Sequence, residues 1–134
     1  MSLINREITW GTYGYIDLGE CNSETLRDEA KIIKFIEDLI IHIGMKQYGE
    51  VLAIRFALHD PKVAGYSAFC FLETSSITAH FAEESDSIYI DIFTCSSLDL
   101  DSAVEFSTKY FEAKYERHGL THRYIPYKDN SNLV

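Results

Sequence analysis

The sequence predicts an α+β fold, a two-layer α/β sandwich whose mostly antiparallel sheet carries helices on one face. Three observations carry this. Two segments, 26–43 and 99–113, repeat apolar residues at helical spacing, and six segments are rich in β-branched and aromatic residues. Four of those six follow one another between residues 50 and 94 at spacings too short for a crossover helix, which calls for antiparallel pairing.

Residues 7–19, with Ile8, Thr9, Trp10, Tyr13, Tyr15 and Ile16, read as a first strand interrupted by Gly11 and Gly14. Asn22 or Ser23 is placed to cap the helix that follows, with Glu24 at its positive end. From Leu26 the positions Ala30, Ile33, Ile36, Ile40 and Ile43 recur at helical spacing, and Gly44 ends the pattern. Strands are expected at 50–58, 66–73, 76–81 and 87–94, with a loop at 59–65 carrying Pro61. The last alternates Ile88, Ile90 and Ile92 against Tyr89, Asp91 and Phe93. Asp99 or Asp101 opens a second helix with Ala103, Val104, Phe106, Phe111 and Ala113 on its apolar side. A short strand at 120–125 precedes a polar tail, 126–134.

A length of 134 residues, with 46% apolar and 25% charged, fits one globular domain spanning 1–134. Twelve Lys+Arg against twenty-one Asp+Glu leave a net charge of −9. That argues against a nucleic-acid partner or an anionic membrane surface and suits cationic ligands. No apolar run is long enough to span a bilayer, and Met1–Glu7 lacks the apolar core of a signal peptide. Cys21, Cys70 and Cys95 are odd in number and far apart, so free thiols and a cytoplasmic location are expected.

Glu73-Thr74-Ser75-Ser76 places three consecutive hydroxyls at a strand entry, five residues before His80. By residue type alone, hydroxyls at strand starts are ordinary turn chemistry, His80 fits a strand histidine, and Cys95 fits a small buried side chain. A Ser75–His80–Asp91 triad can be drawn, but no G-x-S-x-G elbow supports it. With histidines scattered at 42, 59, 80, 118 and 122 and no paired cysteines, no metal site is expected.

The segments Gly65-Tyr66-Ser67, Ser75-x-Ile77-Thr78-x-His80 and Asp91-Ile92-Phe93-Thr94-Cys95 have a joint meaning. Together they resemble the short, prokaryotic-type S-adenosylmethionine decarboxylase proenzymes, which are self-cleaving, pyruvoyl-dependent enzymes of spermidine synthesis. Family members show G-x-S, then E-S-H-[IL]-[ST]-I-H, then D-[VIL]-[FY]-T-C. The gaps of thirteen residues from Ser67 to His80, five from Ser75 to His80 and fifteen from His80 to Cys95 all match. Ile16-Asp17-Leu18 with Cys21, and Arg55-Phe56, extend the likeness across residues 10–123. Thr74 stands where the family has glutamate, Ser76 where it has histidine, and His80-Phe81-Ala82-Glu83-Glu84 where it has H-T-W-P-E. The loop from Phe56 to Gly65 is longer than usual for the family.

The resemblance implies cleavage between Thr74 and Ser75. Ser75 attacks the Thr74 carbonyl, Ser67 donates to the oxyanion, and His80 removes the Ser75 α-proton, leaving a pyruvoyl group generated from Ser75. It further implies that Cys95 protonates the substrate carbon once CO2 has left, that Phe56 stacks on the adenine, and that Glu84 binds the ribose. The altered segment after His80, the longer loop and the acidic balance keep a basic amino acid, ornithine or arginine, open as an alternative substrate. An uncleaved relative that binds a ligand or protein partner without catalysis is the reading from a different class. Finally, both faces of strand 87–94 are substantially apolar, and the expected cover for the second face is another copy of the chain. A homodimer with active sites at the subunit boundary follows, Phe56 reaching the partner's pyruvoyl group.

Overall fold

A computed structural model of the chain describes residues 10–125. The expected tail at 126–134 and the start of the expected first strand, 7–9, lie outside the described residues. In chain order the elements are β1 (Gly11–Gly19), a 3-10 turn (Thr25–Arg27), α1 (Glu29–His42), β2 (Gln47–Phe56), β3 (Gly65–Leu72), β4 (Ser75–Ala82), β5 (Ser87–Thr94), α2 (Leu100–Phe111) and β6 (Tyr115–Arg123). The six strands form one sheet in the order β2-β3-β4-β5-β1-β6, and every neighbouring pair is antiparallel. The expected α+β sandwich is the fold observed.

Strand alternation decides what each face carries. Ile16 and Leu18 of β1, Ala68, Cys70 and Leu72 of β3, Ile77, Ala79 and Phe81 of β4, and Ile88, Ile90 and Ile92 of β5 point toward the helices and are buried. From α1, Ile32, Phe35, Ile36, Leu39 and Ile40 meet them; from α2, Leu100, Ala103, Val104 and Phe111 do. Phe35 and Phe111 pack edge to face at 4.6 Å, with Phe81 5.8 Å from Phe111, so one aromatic group ties both helices to the sheet.

Among the described residues no helix lies over the opposite face. There the pairing registers line up three rows across the strands. Tyr48, Phe71, Ser76, Phe93 and Tyr13 form one row, and Leu52, Phe69, Thr78, Asp91 and Tyr15 the next. Ile54, Ser67, His80, Tyr89 and Asp17 form the third. Leu52, Ile54, Phe56, Phe71 and Tyr89 on this face are exposed.

The structure corrects three local expectations. Asn22 caps the 3-10 turn rather than α1, accepting from the Glu24 and Thr25 amides at 3.0 Å each. The α1 cap is Asp28, which accepts from the Lys31 amide at 3.1 Å. The buried stripe of α1 is also rotated about one residue from the expected one. Ala30 is exposed and Ile33 half-buried, while Ile32 and Phe35 face the sheet, because a segment apolar at so many positions admits two phases. Last, β6 begins at Tyr115 rather than near residue 120. It is an edge strand with little burial, and the alternation that marks a half-buried strand is missing from its first half. The Asp99 cap of α2 is as expected, accepting from Ser102 at 3.1 Å.

Gly65 sets how closely β3 approaches the end of β4. A Cβ there would lie 1.8 Å from the Phe81 carbonyl oxygen, a backbone atom that cannot swing aside. Gly65→Ala should therefore destabilise the fold by about 1–3 kcal/mol, the usual cost of forcing atoms into a packed site. Equilibrium urea unfolding measures this, and an unchanged midpoint would show that the two strands do not meet as closely as described.

Candidate active site

The expected site residues fall into two groups at opposite ends of β4. Leu72 pairs with Ser75, so Glu73 and Thr74 form a two-residue hairpin between β3 and β4. Thr74 sits at φ +58, in the left-handed region. A β-branched residue is poorly suited to it, and the conformation costs on the order of 1–2 kcal/mol. The strain falls on the residue whose carbonyl would have to be attacked.

Ser75 follows as the first residue of β4, buried at 8% exposure on the helix side of the sheet. Its hydroxyl donates to Thr94 Oγ1 at 3.0 Å and accepts from the Cys95 amide at 3.4 Å. Thr94 Oγ1 in turn contacts Ser96 Oγ at 3.0 Å. Cys95 is exposed just past the end of β5, its Sγ 2.6 Å from Thr74 Oγ1. Thr74, Ser75 and Cys95 are thus brought together by the β4–β5 pairing.

Ser67 and His80 form the second group. They are register partners on β3 and β4, and Ser67 Oγ and His80 Nδ1 share a hydrogen bond at 2.8 Å. They lie on the open face, whereas Ser75 faces the helices. A separation of five residues along the strand places His80 roughly 16 Å from Ser75. Within one chain, therefore, His80 does not reach Ser75 and Ser67 does not reach the Thr74 carbonyl. Phe56 ends β2 opposite Gly65, 52% exposed, on the open face beside Ile54 and at the His80 end.

Glu84 is exposed in the turn joining β4 to β5, but its neighbour Glu83 is 8% exposed and ion-paired. Arg55 Nε and Nη2 bind both Glu83 oxygens, at 2.7 and 2.6 Å. Arg27 donates to the Glu83 carbonyl and pairs with Asp86 at 2.9 Å. This cluster pins the end of β2 to the β4–β5 turn and so fixes the chain on either side of Phe56 and Glu84. Sequence reading missed it because its members come from three separate segments, Arg27, Arg55 and the turn carrying Glu83 and Asp86. The adjacency of Arg55 to Phe56 and of Glu83 to Glu84 was the available signal.

On the open face Tyr13 donates to Asp91 at 2.5 Å, which, with partial burial, pushes the phenol up to about 12. Among the described residues no group of three or more His, Cys, Asp or Glu side chains is arranged to hold a metal ion. None of the described helices is long and apolar enough to cross a membrane.

The class that this fold defines is an α+β protein with one antiparallel sheet and a strained, hydroxyl-rich hairpin next to an exposed thiol. Residues 12–124 match the sequence profile of the S-adenosylmethionine decarboxylase family, and the chain belongs to that family. It is 25% identical over 105 residues to the S-adenosylmethionine decarboxylase proenzyme of Thermodesulfovibrio yellowstonii, covering 78% of this chain and 73% of that one. With the Geobacillus kaustophilus proenzyme it shares 26% identity over 106 residues, covering 79% and 81%. The crystal structure of the adenosylmethionine decarboxylase from Aquifex aeolicus superposes with a TM-score of 0.75 at 15% identity, covering 92% of this chain and 98% of that one. That likeness is one of fold. The comparisons favour neither a basic amino acid decarboxylase nor an uncleaved relative.

Arg55 beside Glu83 holds its carboxyl below the ordinary glutamate value of 4.5, outweighing the opposing effect of burial. A depressed folded-state pKa gives stability that is present above the unfolded value and lost as pH falls through the folded one. Thermal midpoints of the wild type should therefore fall on acidification below about pH 4.5 more steeply than those of Glu83→Gln, which lacks the titrating group. At pH 7 the same substitution should lower the midpoint. Parallel curves for the two proteins would remove Glu83 from the account.

Proposed function

We propose that this chain is a proenzyme that cuts itself between Thr74 and Ser75, and that the processed protein decarboxylates S-adenosylmethionine to supply the aminopropyl donor of spermidine synthesis. The observation that carries the reading is the hairpin itself. The family's cleavage position corresponds to a residue at φ +58 whose own hydroxyl meets the Cys95 thiol, followed by a serine whose hydroxyl is already hydrogen-bonded.

Attack by Ser75 Oγ on the Thr74 carbonyl turns the amide into an ester and releases the backbone strain stored at Thr74. The developing oxyanion needs a donor, and removal of the Ser75 α-proton needs a base; Ser67 and His80 have the chemistry for these roles but lie on the open face. A second copy laid on that face by a two-fold axis would bring these groups to the end of β4. There the Thr74 carbonyl and the Ser75 α-carbon lie in the backbone layer between the two faces rather than on the helix side with the Ser75 hydroxyl. Sheets packed face to face sit about 10 Å apart. A two-fold in the plane between them sets the Ser67–His80 row of one copy against the hairpin end of the other. We assign Thr74, Ser75 and Cys95 to one subunit of each site, and Ser67, His80 and Phe56 to its partner. The exposed Leu52, Ile54, Phe56, Phe71 and Tyr89 supply the apolar area such an interface requires.

The buried start of β4, with its hydroxyl and amide partners, fits a small carbonyl group at position 75. The pyruvoyl group generated there supplies an electrophile that captures the substrate amine and takes up the electron pair as CO2 leaves. Cys95, exposed beside it, is positioned to protonate the carbon that loses CO2. Phe56 offers a face to the adenine, Glu84 reaches the ribose hydroxyls, and the aromatic open face and net charge of −9 suit the cationic sulfonium. Three free cysteines accord with a cytoplasmic location.

Intact mass of the purified protein should show fragments 1–74 and 75–134, the second blocked at its N-terminus, and Ser75→Ala should remain full-length. Normal splitting of Ser75→Ala would sink the assignment. Cys95→Ala should still be cleaved but lose about a hundredfold or more in turnover, the usual consequence of removing a positioned acid. Equal turnover in the two proteins would exclude Cys95 from the reaction.

The shared site is tested by mixing Ser75→Ala and Phe56→Ala subunits, each inactive alone. A heterodimer has one site with an intact Ser75 and an intact Phe56, so an equal mixture should recover about a quarter of wild-type activity. A monomer with full activity at assay dilution would exclude the shared site.

A further inference from the structure

The hydroxyl that must attack is not free; it is the first member of a directed chain. Thr94 is fully buried, and its Oγ1 accepts two hydrogen bonds, from the Ser75 hydroxyl at 3.0 Å and from the Ser96 amide at 3.0 Å. A hydroxyl has two acceptor positions and one proton. Both acceptor positions are filled, so the Thr94 proton points to its one remaining neighbour, Ser96 Oγ, at 3.0 Å. Ser96 is exposed. The hydrogen bonds therefore run one way, from buried Ser75 through Thr94 to Ser96 at the surface. His80 of the same chain, the usual type of base, is on the other face of the sheet.

We propose that Thr94 is a catalytic residue of self-cleavage, taking the hydroxyl proton of Ser75 as the attack begins and relaying a proton through Ser96 to water. This rests on the reading of Thr74–Ser75 as the cleavage position. The bond from Ser75 Oγ to the Thr74 carbonyl carbon forms as the Ser75 O–H bond breaks. Its proton passes to Thr94 Oγ1, which gives its own to Ser96 Oγ, and Ser96 gives its own to water. The Thr74–Ser75 C–N bond then breaks, and the nitrogen recovers a proton from water. Amide has become ester, one proton has travelled from oxygen to nitrogen by way of solvent, and no oxidant or reductant is involved. The Cys95 amide, donating to Ser75 Oγ at 3.4 Å, holds the oxygen in place while the proton leaves. The roles are divided by face: the hydroxyl chain acts in the first step, and the partner's Ser67 and His80 act on the oxyanion and the α-proton.

The test follows newly translated full-length chain by pulse–chase, scoring the uncleaved fraction and its sensitivity to hydroxylamine, which cuts esters but not amides. Thr94→Val should process about tenfold or more slowly and stay hydroxylamine-resistant, because it is stalled before the ester. Thr94→Ser should restore most of the rate, and Ser96→Ala should slow processing about threefold or more. His80→Ala should instead accumulate hydroxylamine-sensitive chain, since its step comes later. Wild-type speed in Thr94→Val, or ester accumulating in it, overturns the relay. Should Thr94→Val fail to fold, the exposed Ser96→Ala decides, and an unchanged rate overturns the relay. Absence of 74/75 cleavage in the wild type overturns the proposed function and the relay together. Normal wild-type cleavage with an unaffected Thr94→Val overturns the relay alone.

Discussion

Side chains alternate between the two faces of a strand, so an odd separation puts two residues on opposite sides of a sheet. Ser75 and His80 are five residues apart on β4, and that parity governs the rest of the molecule. It sends Ser75 toward the helices, into hydrogen bonds with Thr94 and Cys95, and sends His80 to the open face with Ser67. Neither side chain can change sides without shifting the register of β4, which would expose Ile77, Ala79 and Phe81. The core therefore enforces the separation of nucleophile and base. On the proposed reading, a second copy is then a chemical requirement as well as a cover for apolar surface.

The two ends of β4 are held by different devices. At the hairpin end, a two-residue connection forces Thr74 to positive φ, and the strain is tolerated because β3 and β4 are fixed by their pairing and by the core beneath. At the other end, Gly65 admits the Phe81 carbonyl, and Arg55 and Arg27 converge on Glu83. That cluster sits beside the long connection from β2 to β3. Where the family has Thr-Trp-Pro after the histidine position, this chain has Phe81-Ala82-Glu83, and Phe81 is consumed by the core, in contact with Phe111. The ion pairs supply a rigidity that proline would otherwise contribute through its fixed φ.

Element order and type were legible because most strands are buried on one face and both helices carry apolar stripes. The spacing of Ser67, Ser75, His80 and Cys95 was legible for a different reason: it is a property of the chain and survives folding. What the sequence hid were quantities that depend on neighbours. The phase of α1 was ambiguous because apolar residues occupy both candidate stripes. The first half of β6 carried no alternation because an edge strand buries little. The Glu83 cluster joins segments remote in sequence. The division of the site residues between two faces could have been read from the odd Ser75–His80 spacing once both were placed on one strand.

Thr74 is the departure from the family pattern with the most direct physical effect. A glutamate at that position would bring a negative charge next to the carbonyl that must accept electron density. Threonine brings a neutral hydroxyl, in contact with Cys95 Sγ. It also brings a β-branch, which makes positive φ costlier than it would be for glutamate. The substitution thus removes an opposing charge and raises the ground-state energy of the same peptide unit. Both changes favour attack at the Thr74 carbonyl, and both lie within the chain that supplies the nucleophile. They suit a first step whose nucleophile and proton exit belong to one chain, where Ser75, Thr94 and Ser96 already lie in hydrogen-bonded sequence, while the partner's Ser67 serves the oxyanion.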